Sequence, residues 1–370
     1  MRVSWDQAFA WRLRRQFVEP RGAVGVVDIA RRLCGLQAQV ASSAELAAAL
    51  RTTTPESGAV ARALAEGGLI KTWAMRGTLH AMTPDAAAAC LNLLAAARTW
   101  EKPSWQRTFG ATPEQVAALA DKVGELLKSQ VLTREELVDQ IVADPAFAGH
   151  ESELRSGWGA LLKPLAWQGV LCHGPARGTK ITFTSPATLP GWHPVTDVDA
   201  AARTAITAYL GAYGPATPEA FDAWLSRGAH RKTRVRGWFA ELGEALTEVD
   251  VDGRRAYLLS EHADELAATE PAETVRLLGA FDQYVLGPGT GDQELLPAQH
   301  RSAVSRTAGW IAPLVLVNGR IAGTWELADD DEVAIAMFDG VAVPRAGLAD
   351  ALAHLAEATG RAQLAERLSG

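Results

Sequence analysis

The side chains able to do chemistry form none of the patterns typical of metalloenzymes, activated-serine hydrolases or nucleotide hydrolases. Eight histidines are scattered without an HExxH pair, no GxSxG elbow occurs, and no Walker lysine follows the glycines of residues 287–291. Cys34, Cys90 and Cys172 are widely spaced, so they lack the spacing of a zinc site and cannot all pair within one chain. The sequence therefore predicts no metal, no organic cofactor and a reduced, cytoplasmic protein.

Clusters of basic residues are the second feature with chemical potential, because grouped cations can bind phosphate. Lys and Arg total 36 against 43 Asp and Glu, a formal charge of -7, so a nucleic-acid site would have to be a local patch. The candidate DNA contacts are Arg177 and Lys180, beside a predicted hairpin tip, and Arg227, Arg231, Lys232, Arg234 and Arg236, in a segment without acidic residues. Each cluster taken singly could equally be a solvated face.

Two parts of the chain show helices followed by a β-hairpin, the order typical of a winged-helix domain. The first part begins with a capping box at Thr133, and its predicted elements are a helix over 153–167 and strands over 170–173 and 180–184. The second part has predicted helices over 200–212 and 231–243 and strands over 246–251 and 255–259, joined at Asp252-Gly253. This repetition is architectural, without a fixed sequence period.

The two ends of the chain differ in composition. Near the start we predict a helix over 28–36 capped by Asp28, a helix over 43–50 capped by Ser42 or Ser43, and a strand over 70–75. After Pro271 the predicted strands are 275–286, 312–317, 320–326 and 333–338, with a hairpin turn at Asn318-Gly319 and a closing helix over 348–368.

The predicted fold class is mainly α with β-hairpin wings (α+β): tandem winged-helix modules followed by a C-terminal β-rich domain. The predicted units are a first winged-helix unit over 1–84, a helical connector over 85–132, a second winged-helix unit over 133–190, a third over 195–262, and a β-rich domain with a C-terminal helix over 271–370. No stretch approaches the ~20 apolar residues of a membrane span, so we expect no membrane partner.

Five sequence strings, in one order along nearly the whole chain, resemble the AlkZ-like family of winged-helix DNA glycosylases. The strings are Gly35–Gln39, Thr72–His80, Gly214–Thr217 with Phe221–Trp224, Leu278–Gly287 and Leu316–Trp325. The resemblance implies a monofunctional, cofactor-free enzyme that excises alkylated purines from duplex DNA and unhooks interstrand crosslinks. It also implies self-resistance of an actinomycete to a DNA-alkylating antibiotic such as azinomycin B.

The family signature of Gln, any residue, then Gln or Asp implies that Gln37 and Gln39 are catalytic. A neutral amide cannot serve as a general base, but it can donate and accept hydrogen bonds. A purine alkylated at N7 already carries positive charge, so orienting a water beneath C1′ and stabilising an oxocarbenium-like sugar would suffice. Because residues two apart do not face each other on a regular helix, we expect a non-helical backbone near Gln37.

Arg76 and His80, in the second string, are further candidates for contact with DNA. His80 could face the lesion or a phosphate, or it could be structural. The implied partner is duplex DNA carrying alkylated purines or interstrand crosslinks, bound by a monomer across a concave basic face. Two alternatives remain open: a winged-helix regulator without catalysis, and a glycosylase for simple N7- or N3-alkylpurines.

Overall fold

The computed structural model describes residues 1–328, 331–342 and 344–369, a mixture of helices and sheets. Among those residues the helices are α1 Trp5–Arg15, α2 Val26–Arg32, α3 Ala41–Ala49, α4 Ala59–Ala65, α5 Pro84–Ala96, α6 Pro103–Phe109, α7 Pro113–Leu127, α8 Arg134–Val142, α9 Glu151–Arg155, α10 Lys163–Trp167, α11 Val198–Tyr213, α12 Pro218–Ser226, α13 Lys232–Glu241, α14 Ala263–Ala267, α15 Gln283–Leu286, α16 Arg301–Val304 and α17 Arg345–Thr359. None of these described helices is both long and apolar enough to cross a membrane.

Within the described residues, the strands form three separate sheets. In chain order the strands are β1 Arg2–Val3, β2 Leu36–Gln37, β3 Ile70–Trp73, β4 Leu79–Met82, β5 Leu132–Thr133, β6 Cys172–His173, β7 Thr182–Thr184, β8 Leu246–Val251, β9 Arg254–Leu259, β10 Val275–Leu278, β11 Leu314–Val317, β12 Arg320–Leu327, β13 Glu332–Met337 and β14 Ala365–Ser369. The predicted α+β class is confirmed.

An antiparallel sheet in the order β2-β4-β3-β6-β7-β5 connects the first predicted unit to the second. The connection is made where Lys71 on β3 pairs with His173 on β6. Strands β6 and β7 form the hairpin expected after α10, and Thr133 caps α8 with the expected capping box. Because this sheet continues across residues 84 and 132, the division into units and their winged-helix character stay predictions.

The second sheet joins the start of the chain to the third predicted unit. Strand β1 pairs in parallel with β8, and β8 forms the expected hairpin with β9. Asp252 and Gly253 at its tip have φ of 46° and 86°, the backbone conformation that a tight two-residue hairpin turn requires. The amide N–H of Trp5 also donates to Asp252 Oδ2 at 2.8 Å, so the N-terminal segment is anchored on this hairpin.

The third sheet, β10-β11-β12-β13-β14, contains two departures from prediction. The strand expected over 275–286 ends at Leu278, because Phe281 adopts a φ of 58° and Asp282 caps the short helix α15. The helix expected over 348–368 ends at Thr359, where Gly360 adopts a left-handed conformation. The chain then returns as β14, parallel to β13.

The predicted helix over 153–167 is also wrong, since α9 and α10 are separate helices. The chain breaks at Ser156, whose carbonyl accepts a 2.8 Å hydrogen bond from Arg134. Gly159 has a φ of 62°, and a Cβ there would lie 2.6 Å from the ring of Trp73. The break leaves the side chain of Trp158 74% exposed.

The region before the two glutamines differs from prediction in ways that matter for the site. Helix α2 begins after Gly25, and Asp28 forms an ion pair with Arg31 instead of capping the helix. Helix α3 begins after Val40, so neither Ser42 nor Ser43 caps it. Helix α2 also ends at Arg32, four residues early, because Cys34 and Gly35 both have positive φ and redirect the chain into β2.

Candidate active site

Gln37 lies at the end of β2, where it pairs across the sheet with His80 on β4. Its side chain is 7% exposed, whereas that of Gln39, in the bend that follows, is exposed. Gln39 Oε1 accepts a 3.4 Å hydrogen bond from the amide N–H of Leu79. The expected non-helical backbone is confirmed, and both glutamines lie beside the same short stretch of β4.

A row of three buried polar residues crosses the sheet at this point. His80 pairs with Gln37 on one side and with Thr72 of β3 on the other, so the three side chains share one face. Gln37 Oε1, His80 Nε2 and Thr72 Oγ1 are all buried, and none has a hydrogen-bond partner in the part of the chain that the structure describes. Buried polar atoms are almost always partnered, so three orphans side by side indicate a place prepared for another molecule, such as water.

The protonation state of His80 is defined by its surroundings. Its side chain is completely buried, and Nδ1 lies 3.0 Å from the carbonyl oxygen of Thr78. Because a carbonyl can only accept, Nδ1 carries the proton and Nε2 presents a lone pair. Burial lowers the pKa of His80 to about 3, and the nearby charge of Arg76 acts in the same direction. His80 is therefore a neutral acceptor in this conformation and offers no charge to a phosphate.

Arg76 lies in the turn between β3 and β4 with a φ of 57°. Its Nη1 donates to the carbonyl oxygens of Trp224 and Leu286, at 3.2 and 3.1 Å, while Nη2 is buried without a partner. Burial lowers the pKa of Arg76 to about 10, which leaves the guanidinium charged at neutral pH. The side chain thus ties the hairpin to α12 and α15 and retains one free donor.

The basic residues of the β6–β7 hairpin are exposed but are not remote from acids. Arg177 Nη1 lies 3.0 Å from Glu136 Oε2, and Lys180 Nζ lies 3.7 Å from Glu135 Oε2. Both glutamates belong to the first turn of α8, which the sheet brings next to the hairpin. In three dimensions, Arg177 and Lys180 therefore each lie beside a carboxylate.

The segment from Arg227 to Arg236 divides into paired and unpaired residues. Arg234 forms an ion pair with Asp199 at 2.5 Å, and Arg236 pairs with Glu219 at 2.6 Å. Within the part of the chain that the structure describes, Arg227, Arg231 and Lys232 are exposed and make no ion pair. These three cations remain available to a polyanion.

A family model described as DNA glycosylase AlkZ-like matches residues 30–363. The chain belongs to the AlkZ-like DNA glycosylase family. It is therefore a hydrolase of N-glycosidic bonds. It is 53% identical, over 100% of both chains, to a Streptomyces sahachiroi protein named interstrand DNA cross-link repair glycosylase. The solved structure of Streptomyces sahachiroi DNA glycosylase AlkZ matches with a TM-score of 0.97, also at 53% identity and covering 100% of each chain.

Sequence reasoning about this AlkZ-like glycosylase missed Thr72 as a member of the site. Thr72 opens the second family string, but nothing in its local sequence distinguishes it from a core strand residue. The position of the turn between β3 and β4 sets the register that places Thr72 opposite His80. Recognising the hairpin tip at Met75–Gly77 would have revealed it.

Proposed function

We propose that this glycosylase hydrolyses the N-glycosidic bond of N7-alkylated purines in duplex DNA, including purines joined in interstrand crosslinks. The observation that carries the proposal is Gln37, a buried amide with an unpartnered oxygen in a member of a glycosylase family. The relative named as an interstrand cross-link repair glycosylase supports the same substrate class. Resistance to an alkylating antibiotic such as azinomycin B would follow from removing its adducts.

The chemistry asks for positioning more than for acid or base strength. The alkylated purine leaves as a neutral base, and positive charge develops on the sugar. Gln37 and Gln39 can accept hydrogen bonds from a water and direct its lone pair at C1′, while their amide oxygens stabilise the developing charge. Once the water oxygen has bonded to C1′, the proton that this oxygen loses can pass to solvent beside Gln39, whose side chain is exposed.

His80 fits this scheme as a positioning residue. Its neutral Nε2 can accept a hydrogen bond from the Gln37 amide or from a water between them, which would turn Gln37 Oε1 towards the substrate. A protonated His80 would instead repel the positive sugar. The burial that keeps the ring neutral therefore serves the proposed reaction.

The test uses duplexes that carry one N7-methylguanine or one N7–N7 interstrand crosslink. Wild-type protein should release the base or unhook the strands, leaving an abasic site without strand cleavage. Gln37→Ala and Gln39→Ala should each lower the single-turnover rate on the order of a hundredfold or more, for a loss of ~2.7–4 kcal/mol, with DNA binding retained. Binding without base release by the wild type would support the regulator alternative, and near-normal excision by either variant would contradict the catalytic assignment.

We also propose that the duplex contacts Arg227, Arg231 and Lys232. Removing any one of these cations should reduce the slope of the logarithm of the binding constant against the logarithm of the salt concentration by about one. The reduction should be the same for damaged and undamaged duplexes. Arg177 and Lys180 should have smaller effects, because each must leave a glutamate to reach a phosphate. The matched control is Arg155→Ala, which removes the same charge from a side chain held by Asp139 and Glu151. If Arg231→Ala and Lys232→Ala both kept the wild-type salt slope, the duplex would have to bind another surface.

A further inference from the structure

A cavity of about 270 Å³ opens next to the turn between β3 and β4. It lies between that turn, α6, the break that separates α9 from α10, and the end of α12. Four aromatic side chains line it: Trp105, Phe109, Trp158 and Trp167. Neither Gln37 nor Gln39 is among its lining residues, so the cavity is separate from the proposed hydrolytic centre.

Three cations face the same space. Arg76, Lys163 and Arg227 all line the cavity, and its described lining residues include no Asp or Glu. Lys163 comes from the start of α10 and passes close to Gly77, where a Cβ would lie 3.8 Å from its Nζ. Burial lowers the pKa of Lys163, and the charge of Arg227 contributes in the same direction. Grouped cations without acids favour an anionic ligand.

Three residues that line the cavity also carry buried hydrogen-bonding atoms with no partner among the described residues. Arg76 Nη2, Thr99 Oγ1 and Trp167 Nε1 are each buried and unpartnered, and all three residues line the cavity. Buried polar atoms of this kind are rare unless something else satisfies them. The aromatic lining and the three cations therefore favour a ligand that combines a flat apolar surface with negative charge.

We propose that this cavity binds one unstacked nucleotide of the DNA, with its base against the aromatic side chains and its phosphate on the cations. The inference rests on the proposed function, since it assumes that the substrate is duplex DNA. Aromatic side chains are common platforms for unstacked bases, and cations beside them commonly bind the backbone. Because the glutamines lie outside the cavity, the bound nucleotide is a neighbour of the excised one. If this neighbouring nucleotide is held outside the base stack, C1′ of a lesion that stays in the duplex becomes accessible.

A double-mutant cycle between protein and DNA tests the site. Trp158→Ala is paired with duplexes in which single bases near a tetrahydrofuran abasic analogue are deleted one position at a time. At one position, deleting the base and truncating Trp158 should each weaken binding on the order of tenfold, and the two losses should not add. Trp310→Ala is the matched control, because Trp310 is 41% exposed, lies beside Phe281 and is not among the lining residues of the cavity.

Additive losses at every position would overturn the nucleotide site, and so would equal weakening by Trp158→Ala and Trp310→Ala. Competition by free dAMP without coupling at any DNA position would also overturn it, assigning the cavity to a mononucleotide. Arg227→Ala separates charge from stacking, because it should lower the salt slope by about one, whereas Trp158→Ala should not. Base release by the wild type is measured separately, so failure of the glycosylase proposal and failure of this site are distinguishable.

Discussion

Replacing Gln37 by Met should separate catalysis from stability. Gln37 is 7% exposed and its Oε1 accepts no hydrogen bond from the described residues, so only a water or a ligand can satisfy this acceptor. An acceptor that stays unsatisfied costs about 1–3 kcal/mol of stability. Met has a similar length and no polar oxygen, and we therefore expect Gln37→Met to leave the free energy of unfolding unchanged or to raise it by up to that amount. Excision should nevertheless fall on the order of a hundredfold or more, for a loss of ~2.7–4 kcal/mol.

The assay combines urea unfolding with single-turnover release of N7-methylguanine. Gln16→Met is the matched control, because Gln16 is also a buried glutamine whose Oε1 has no partner among the described residues, but its Nε2 donates to the carbonyl oxygen of Ala212 at 3.1 Å. That substitution removes an unpartnered acceptor but leaves the Ala212 carbonyl unsatisfied, two effects of about 1–3 kcal/mol with opposite signs. The free energy of unfolding should therefore change little, and excision should stay near normal. The two variants should thus differ in excision, while neither loses much stability.

The reasoning would be refuted if Gln37→Met lost more than about 1 kcal/mol of stability and its excision fell only in proportion to the folded fraction. That result would mean that Gln37 is structural. Retention of the wild-type rate by a stable Gln37→Met would remove it from the mechanism altogether.

Three further predictions concern ion pairs, protonation and covalent chemistry. Arg51→Met should lower the free energy of unfolding by about 3–5 kcal/mol, because it leaves the buried carboxylate of Asp282 without its ion-pair partner. Arg62→Met removes one side of an exposed ion pair and should cost only about 0–1 kcal/mol in the same urea titration. Because the pKa of His80 is lowered to about 3 in the folded protein, His80 of the unfolded chain binds a proton below about pH 6.5, whereas His80 of the folded chain does not. His80 should therefore contribute a fall in the free energy of unfolding of about 1.4 kcal/mol per pH unit between pH 6 and pH 4, beside a similar contribution from His173, whose pKa burial also lowers to about 3. A urea series on His80→Gln that kept the full wild-type pH dependence would contradict the assignment. Borohydride should trap no protein–DNA adduct during turnover. Lys71 pairs with Ala81 and so points to the sheet face opposite Gln37, where it cannot form a Schiff base with the sugar. A trapped adduct at Lys71 would show instead that the enzyme has lyase activity.

The sequence by itself determined the family, the fold class and the glutamine pair. Five strings in one order identify the family, and the match over residues 30–363 confirms it. Local chemistry also determined the tight turns, because Asp252-Gly253 and Asn318-Gly319 readily adopt positive φ. The non-helical backbone at Gln37 followed from the demand that two amides reach one water.

Local sequence patterns gave wrong predictions where contacts between residues distant in sequence determine the backbone conformation. The apolar spacing over 153–167 is helical, but the ring of Trp73 occupies the space beside Gly159, and Arg134 holds the carbonyl of Ser156. At the end of the chain, pairing with β13 makes residues 365–369 a strand despite their helical spacing. Such partners lie far away in sequence, so periodicity within a window cannot reveal them.

Only the tertiary structure decided which charges are free and which polar groups meet. Arg177 and Lys180 have no acid beside them in sequence, yet the sheet places Glu136 and Glu135 next to them. Conversely, Arg76 and Lys163 are 87 positions apart in the numbering, yet they line one cavity. The physical reason is that charge interactions and hydrogen bonds depend on distance in space, which strand register and helix packing set, whereas the sequence records only neighbours along the chain.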